Sequence, residues 1–424
     1  MTPLRSFATI AALVGFASLL SADVLTVGPP GSGSDFDDIQ SAVDAAERGD
    51  VVLVGPGSYL GFTVDKAVVV HGAGVGQTNV SNQLAPFAVN AVRVQGVPAG
   101  EVAVVAGLRV ELPSTPFGQE SLVEASGNTG TVLLHDVELI GAETRGGLEG
   151  RATTRLILSA SRSFGGGGGG LLDATYALSA TGTRLWVIDS SVEAAPLSGF
   201  FLPLQKEAVQ LSNCDALFAA SLVRAGELGP TASGEGADAV LARSSLINVA
   251  SSRVFGGDGA TGAGGYAFRL FQSAIATSFA DSIVEGGLDA AGLAQQDPVT
   301  VDVESSYSEV SQLLPTLTVS TAAASAGDAV QLQLRGTPGA SGQLFASLGI
   351  GPGFPILGVG GDVFLEPGAL VPLGALTLDG SGQAQVPVTV PSLPGNAPAL
   401  ATFQWVDQAS GGAMVSNPAF LSLL

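Results

Sequence analysis

The chain has 424 residues, 46% hydrophobic and only 12% charged, with 59 glycines and a formal net charge of −21. Nothing in that balance can neutralise phosphates, which excludes nucleic acid and anionic membranes as partners; it also disfavours a polyanionic polymer such as pectate unless Ca²⁺ bridges the two. The length allows two or three domains, and the single cysteine, Cys214, excludes a disulfide framework and a Cys-based metal site.

In chain order, Arg5 precedes an apolar run from Phe7 to Leu20, and small residues follow at Ser21 and Ala22. Residues 1–22 therefore read as a signal peptide, which places the mature protein outside the cell or at its surface. No later stretch reaches the roughly 20 apolar residues of a membrane span. Asp35 to Gly74 then predicts a short amphipathic helix followed by three short strands. Phe36, Ile39, Val43 and Ala46 share one helical face. Ser34 or Asp35 is the expected N-cap, Asp37 and Asp38 suit the helix dipole, and Arg48-Gly49 forms the stop. Val51 to Val54 reads as a buried strand, Gly55-Pro56-Gly57 as a turn, and Val68 to Val70 as a further strand.

This stretch resembles the first coil of right-handed parallel β-helix proteins, the pectin-lyase-like superfamily. The matching residues are Phe36, Ile39, Gln40, Ala42, Val43, Asp44, Ala45, Ala46, Gly49, Asp50, Val52, Val54, Pro56, Gly57 and Tyr59. The resemblance implies a solenoid whose open end is covered by the helix. It implies no activity, because the fold hosts lyases, hydrolases, epimerases, adhesins and structural proteins.

Further along, Val92 to Val94, Val102 to Val105 and Gly107 to Val110 read as separate strands. From about residue 130 a loose repeat of 24 to 37 residues sets in, each unit an apolar strand, a small or acidic residue and a second short strand. Stacked coils put equivalent residues about 4.8 Å apart, so small turn residues should form a ladder, with Ser161, Ser191, Cys214, Ser245 and Ser282 as its members. The glycine-rich pieces Ser163 to Gly170 and Phe255 to Gly265 match no nucleotide-binding loop and read as flexible connections. Asp258 within the second is a weak Ca²⁺ candidate.

The texture changes near Gln312 to Pro315. Strands and Pro/Gly turns follow, with a hairpin signal at Leu378 to Gly382 and Trp405 as the expected core aromatic. This part resembles a C-terminal module of many secreted bacterial proteins through Leu370, Pro372, Leu373, Gly374, Leu378, Asp379, Gly382, Ala384, Val388, Val390, Pro391, Gln404, Trp405, Ser416 and Asn417. The resemblance implies no activity.

The catalytic inventory is thin. His71 and His135 are the only histidines and fall in different coils, so neither a Ser-His-Asp arrangement nor a Zn site is supported. Asp136, Asp189, Asp215 and Asp281 recur at similar points of the repeat and are the candidate catalytic carboxylates. On neighbouring coils two of them could reach the roughly 5–9 Å that glycoside hydrolysis uses, or hold Ca²⁺. The carboxylate and histidine constellation of pectin hydrolases and the Arg/Lys and Asp cluster of pectate lyases are both absent.

The expected architecture is all-β: a signal peptide at 1–22, a right-handed parallel β-helix with an N-terminal capping helix over 23–312, and a small β-sandwich over 316–424. The expected function is a secreted, non-catalytic structural or glycan-binding component of the cell surface. A divergent polysaccharide lyase or glycoside hydrolase is the alternative. No cofactor is expected beyond a weak case for Ca²⁺, and the partners are polysaccharide or cell-surface components.

Overall fold

The computed structural model describes residues 22–424 except 82–89, 112–120, 142–145, 167–175, 196–206, 227–235, 261, 293–294, 352, 356–358, 393–398 and 409–412. The chain is almost entirely β and divides into two units, one over Asp23–Leu313 and one that includes Leu314–Leu424.

The first unit is a parallel β-solenoid of about eight turns. An 18-stranded sheet and a nine-stranded sheet make its walls. The 18-stranded sheet breaks lengthwise into two strips. Short strands such as Arg155–Ser159 and Arg162–Phe164 lie on either side of the break, while Val102–Glu111 and Thr131–Ile140 run through it as ten-residue strands. The sequence reading split the first of these at Gly107; the backbone instead bends there and continues. The nine-stranded sheet, from Phe62–Val64 to Val299–Val301, forms the third strip.

Alternation along each strand sends one set of side chains into the lumen. In the first strip Val70, Val105, Leu134, Leu158, Val187, Phe218 and Val249 follow one another in register. All are buried in one continuous core with the inward residues of the other strips. A coil of about 30 residues cannot bury its inner face alone, so stacking is the source of stability. On the first strip part of the opposite face is buried too: Leu133, Ile157 and Ile188 point away from the lumen and are at most 1% exposed, while Trp186, Leu217 and Asn248 in the same face are half-buried.

Two bends hold the strips at their angles. Between the first and second strips Gly107, Asp136, Ala160, Asp189, Ala220 and Ser251 all adopt φ between 47° and 65°. Between the third and first strips Gly127, Ala152, Gly182, Asn213 and Ser244 adopt φ between 46° and 64°. Behind each bend runs a ladder of small polar side chains, which corrects the expected single ladder. At the first bend the amides of Val137, Ser161, Ser190, Ser221 and Ser252 donate to the hydroxyls of Ser161, Ser190, Ser221, Ser252 and Ser282, each one coil further on. Cys214 and Ser245 belong to the second bend, where the Cys214 amide donates to Ser245 Oγ at 3.1 Å. Ser191 belongs to neither; it faces outward on the second strip.

The helix spans Ile39–Ala45 and packs Ile39, Ala42 and Val43 into the solenoid core. Its N-cap is Asp38, whose Oδ1 accepts from the Ser41 amide at 2.8 Å. Asp35, an expected cap, is engaged by Thr26 instead.

The glycine-rich piece at 256–265 is built rather than loose where it is described. The Gly257 amide donates to Ala237 O, Gly265 to Gly257 O and Gly287 to Gly265 O, each at 2.8 Å. Backbones approach so closely that a Cβ on Gly257 would lie 2.2 Å from Gly226 O, which only glycine tolerates. Of the expected loop at 163–170, Ser163 and Phe164 belong to the strand Arg162–Phe164, and residues 167–170 lie outside the described residues.

In the second unit a three-stranded antiparallel sheet and a seven-stranded sheet share a buried cluster that includes Leu332, Leu344, Phe403, Trp405 and Leu421. Trp405 is fully buried. The Leu378 to Gly382 turn departs from its hairpin reading. Val371–Thr377 pairs with Ser341–Leu348, and Gln383–Thr389 pairs with Ala329–Arg335, so the turn crosses from one sheet to the other. Asp379 closes it by accepting from the amides of Ser381 and Gln383 at 2.8 and 3.0 Å.

Candidate functional site

The four candidate carboxylates do not form one row. Asp136 and Asp189 share the left-handed position of the first bend, two coils apart with Ala160 between them. At about 4.8 Å per coil their backbones are about 10 Å apart, at or beyond the widest carboxylate spacing used in glycoside hydrolysis. Neither side chain makes a hydrogen bond or ion pair among the described residues. Burial pushes the Asp136 carboxyl up to about 6. Asp189 moves in the same direction as protein crowds around it, but its side chain meets water and the shift carries little energy.

The other two are occupied structurally. Asp215 lies at the start of a first-strip strand and pairs with Arg184 Nε at 3.1 Å. Asp281 follows the first bend, and its carboxylate accepts from the Ser251 amide at 2.9 Å and from the Ser251 hydroxyl. The Ca²⁺ candidate Asp258 is exposed, and its Oδ1 accepts from the Leu288 amide at 2.7 Å. Among the described residues no group of three or more His, Cys, Asp or Glu could hold a metal ion.

Four other acids on the outer faces are matched in the same way. Glu124 pairs with Arg93 at 3.1 Å, Glu149 with Arg151 at 2.6 Å, Glu111 with Arg109 at 2.9 Å and Asp238 with Arg269 at 2.6 Å. Each pair ties neighbouring coils or one strand to itself; Asp238 is buried, while the arginine partners are at least partly exposed.

The histidines sit in the outward row of the first strip, His71 one residue from the end of Val69–Gly72 and His135 in the middle of Thr131–Ile140. His71 and His135 flank Ala106 in register, two coils apart. Both are buried. Burial lowers the His71 pKa, outweighing an opposing contribution from the Gly72 backbone, and among the described residues neither ring nitrogen makes a hydrogen bond of good geometry. Cys214 is buried, its thiol held up in pKa by burial and directed at Ser212 O at 3.3 Å, so it is not a reactive thiol.

Three cavities among the described residues include one of about 450 Å³ lined by Gly264, Asp289 and Gln295 among others. A notch of about 530 Å³ at the last coil is lined by Phe279, Ile283, Val284, Glu285, Glu309 and others. An apolar cavity of about 90 Å³ in the second unit is lined by Ala346, Leu348, Val371, Val388, Ala401 and Phe403 among others.

The second strip differs from both neighbours, and the sequence reading passed over it. Its outward rows run Glu138, Arg162, Ser191, Leu222, Arg253, Ile283 and Ile140, Phe164, Glu193, Arg224, Phe255, Glu285. Arg162, Arg224 and Arg253 are exposed and make no ion pair among the described residues. The available signal was the recurrence of Ser-Arg-x-Phe-Gly-Gly at Ser161 to Gly166 and Ser252 to Gly257.

No protein-family model matches this chain. No curated protein matches it either. Among solved structures, the sporulation control protein Spo0M from Bacillus subtilis is 13% identical over 26% of this chain and 50% of its own, with a TM-score of 0.15. The catalytic domain of a GH87 α-1,3-glucanase variant, solved in complex with tetrasaccharides, is 10% identical over 60% of this chain and 64% of its own, with a TM-score of 0.20. The chain thus spans half the length of the first and just under two thirds of the second. Likenesses this slight carry neither fold nor activity to this chain.

Proposed function

We propose that this chain is a secreted, non-catalytic β-helix protein whose outer faces bind glycan or other components of the cell surface. One observation carries the reading. The acidic side chains that could do hydrolytic or lyase chemistry are either engaged in holding coils together, as Asp215 and Asp281 are, or stand apart on a smooth ridge, as Asp136 and Asp189 do. A general acid and base must act on one bond from both sides, and no two of these four candidates are brought together in that way. Non-reactive carboxylates, by contrast, suit a soluble exported surface.

Several architectural statements belong to the same proposal. Residues 1–22 direct export. The helix Ile39–Ala45 caps the first coil and blocks edge-to-edge pairing there. The solenoid is of the pectin-lyase-like type, and the two sheets of the second unit stack as a β-sandwich that serves as a surface or sorting module. Among the described residues no helix is long and apolar enough to cross a membrane.

The competing reading is a divergent polysaccharide lyase or glycoside hydrolase, and it rests on the raised Asp136 carboxyl. A glycan array probed with the mature chain, with and without Ca²⁺, tests the proposal. Binding to a defined set of glycans is the expected result. Absence of binding to all glycans and to intact cell-wall material would refute it.

A further inference from the structure

We infer that the notch at the last coil takes an extended, lysine- or arginine-bearing segment of a partner protein, which adds to Ile283–Glu285 as a further strand. The inference does not depend on glycan binding, because it uses a sheet edge rather than an outer face.

The first ground is an unfinished coil. The first strip ends at Ser306–Val310, but the second ends one coil earlier, at Ile283–Glu285. Past Val310 the Gln312 carbonyl accepts from the Ala280 amide at 3.3 Å, and the next strand, Thr316–Val319, pairs with Ala329–Arg335 of the other unit. Ser282, the last rung of the ladder at the first bend, turns its amide to Phe279 O at 2.9 Å instead of to a further hydroxyl. The Ile283 amide donates to Ser252 O at 2.8 Å, and Glu285 O accepts from the Gly256 amide at 2.9 Å. Alternate residues of a parallel strand bond to alternate sides, so the Val284 amide and carbonyl face the open edge. Such an edge is a template for another extended chain.

The second ground is size. A strand residue within a sheet occupies roughly 3.3 Å by 4.8 Å by 10 Å, or about 160 Å³. The notch of about 530 Å³ therefore holds about three strand residues, the length of Ile283–Glu285. Val192, Val223 and Val254 stack in the inward row of the second strip and are fully buried, whereas Val284, next in that row, is half-buried. An added strand sets a side chain on Val284 where a further coil would have placed one.

The third ground is charge. Among the described residues two carboxylates line the notch, Glu285 and Glu309, and no cation does. Glu285 is on the outward side of the edge strand. Glu309 follows Phe218, Val249 and Ser278 in the inward row of the first strip, so it sets a charge where earlier coils hold core. Both are exposed, and neither makes an ion pair among the described residues. The Tyr307 hydroxyl donates to Glu309 at 3.1 Å and leaves its charge in place. Arg253 stands opposite Ile283 one coil back and is not part of the lining. A second copy of this edge would bring carboxylates against carboxylates, which destabilises strand pairing. A Lys or Arg on an added strand lays its aliphatic stem over apolar surface such as Val284 and carries its charge to a carboxylate of the rim.

The test measures binding of a fluorescein-labelled peptide of alternating Lys and Val to the mature full chain at physiological ionic strength. The comparators are the alternating Glu and Val peptide, the lysine peptide with every backbone amide N-methylated, and the variants Glu285→Gln, Glu309→Gln and, at the first coil, Glu47→Gln. The lysine peptide should bind and slow hydrogen exchange over Ile283–Glu285. Its affinity should fall about fivefold in Glu285→Gln and in Glu309→Gln, fall about tenfold on N-methylation, and stay at the parent level in Glu47→Gln. No binding leaves the two carboxylates as a guard against edge pairing and overturns the inference. Binding that ignores Glu285→Gln and Glu309→Gln is bulk attraction to an acidic chain, and binding that survives N-methylation uses no strand pairing; either overturns it, as does equal binding of the glutamate peptide. A concentration-dependent dimer that the lysine peptide breaks puts a second copy in the notch and overturns the partner assigned.

Discussion

Asp136 and Asp189 occupy the same left-handed bend position two coils apart, with the methyl group of Ala160 between them. That relationship denies each carboxylate a partner across the bend, although Asp136 is half-buried and Asp189 exposed. It also sets the response of the solenoid to pH.

Asp136 titrates near 6 in the folded chain and near 3.9 when unfolded. The folded state therefore holds the proton more tightly, and the stability this group contributes is present at low pH and lost as pH rises through 6. Asp136→Asn removes the loss. Scaled down for partial exposure, the variant should gain about 1 kcal/mol on the parent between pH 4 and pH 8. Urea unfolding at the two pH values checks this; a difference that does not change with pH contradicts it.

His71 runs the other way. Burial lowers its pKa in the fold, so the unfolded chain binds the proton first and stability falls as pH drops below about 6.5. His71→Leu should lose part of that acid sensitivity while leaving the unfolding midpoint at pH 8 close to the parent. Thermal melts at pH 5 and pH 8 would show it, and an unchanged acid slope would count against the assignment.

The serine ladder gives a sharper contrast. Ser221 Oγ accepts from the Ser190 amide at 3.2 Å and donates back to Ala219 O at 2.9 Å, all buried. Ser221→Ala leaves a buried amide unpaired and should cost about 1–3 kcal/mol. Ser191→Ala, one residue past a ladder member but facing outward, should stay within about 0.5 kcal/mol of the parent. Equal effects of the two substitutions would contradict the ladder.

How far the sequence shows this structure depends on the kind of signal. Val51 to Val54 and the apolar runs of the repeat announce strands because burial imposes a period on them. The helix is legible from Ile39 and Val43, but its ends are not: Phe36, read on the same face, instead makes a β-bridge with Val27, Ala46 is the C-cap, and Asp38 rather than Ser34 or Asp35 is the N-cap because Thr26, nine residues from Asp35, engages that carboxylate. The ladder members were misplaced by one residue at Ser190 and Ser191, because a bend residue reverses which neighbour faces inward. Coil-to-coil register is likewise silent in a single sequence. That is why Asp136, Asp189, Asp215 and Asp281 look equivalent when read along the chain and fall at three different kinds of place in the fold. The hairpin signal at Leu378 to Gly382 was a true turn, but a turn does not say which sheet the next strand joins.

In the second unit Asn417 clasps Leu317 across 100 residues, its Oδ1 accepting from the Leu317 amide at 2.9 Å and its Nδ2 donating to Leu317 O at 2.7 Å. Asn417→Ala should cost that unit about 2–4 kcal/mol, from two buried backbone groups left without partners. Hydrogen exchange should speed up over Thr316–Val319 and Ala419–Leu423, with the solenoid strands unchanged. Uniform acceleration along the whole chain would contradict this.

The most direct test of the central claim is a turnover assay of the mature chain on the glycans it binds. New reducing ends and unsaturated products are followed with and without Ca²⁺ over a long incubation. The account predicts binding with no product above the level of Asp136→Asn and Asp189→Asn variants. Product formation by the parent chain that disappears in either folded variant would contradict it.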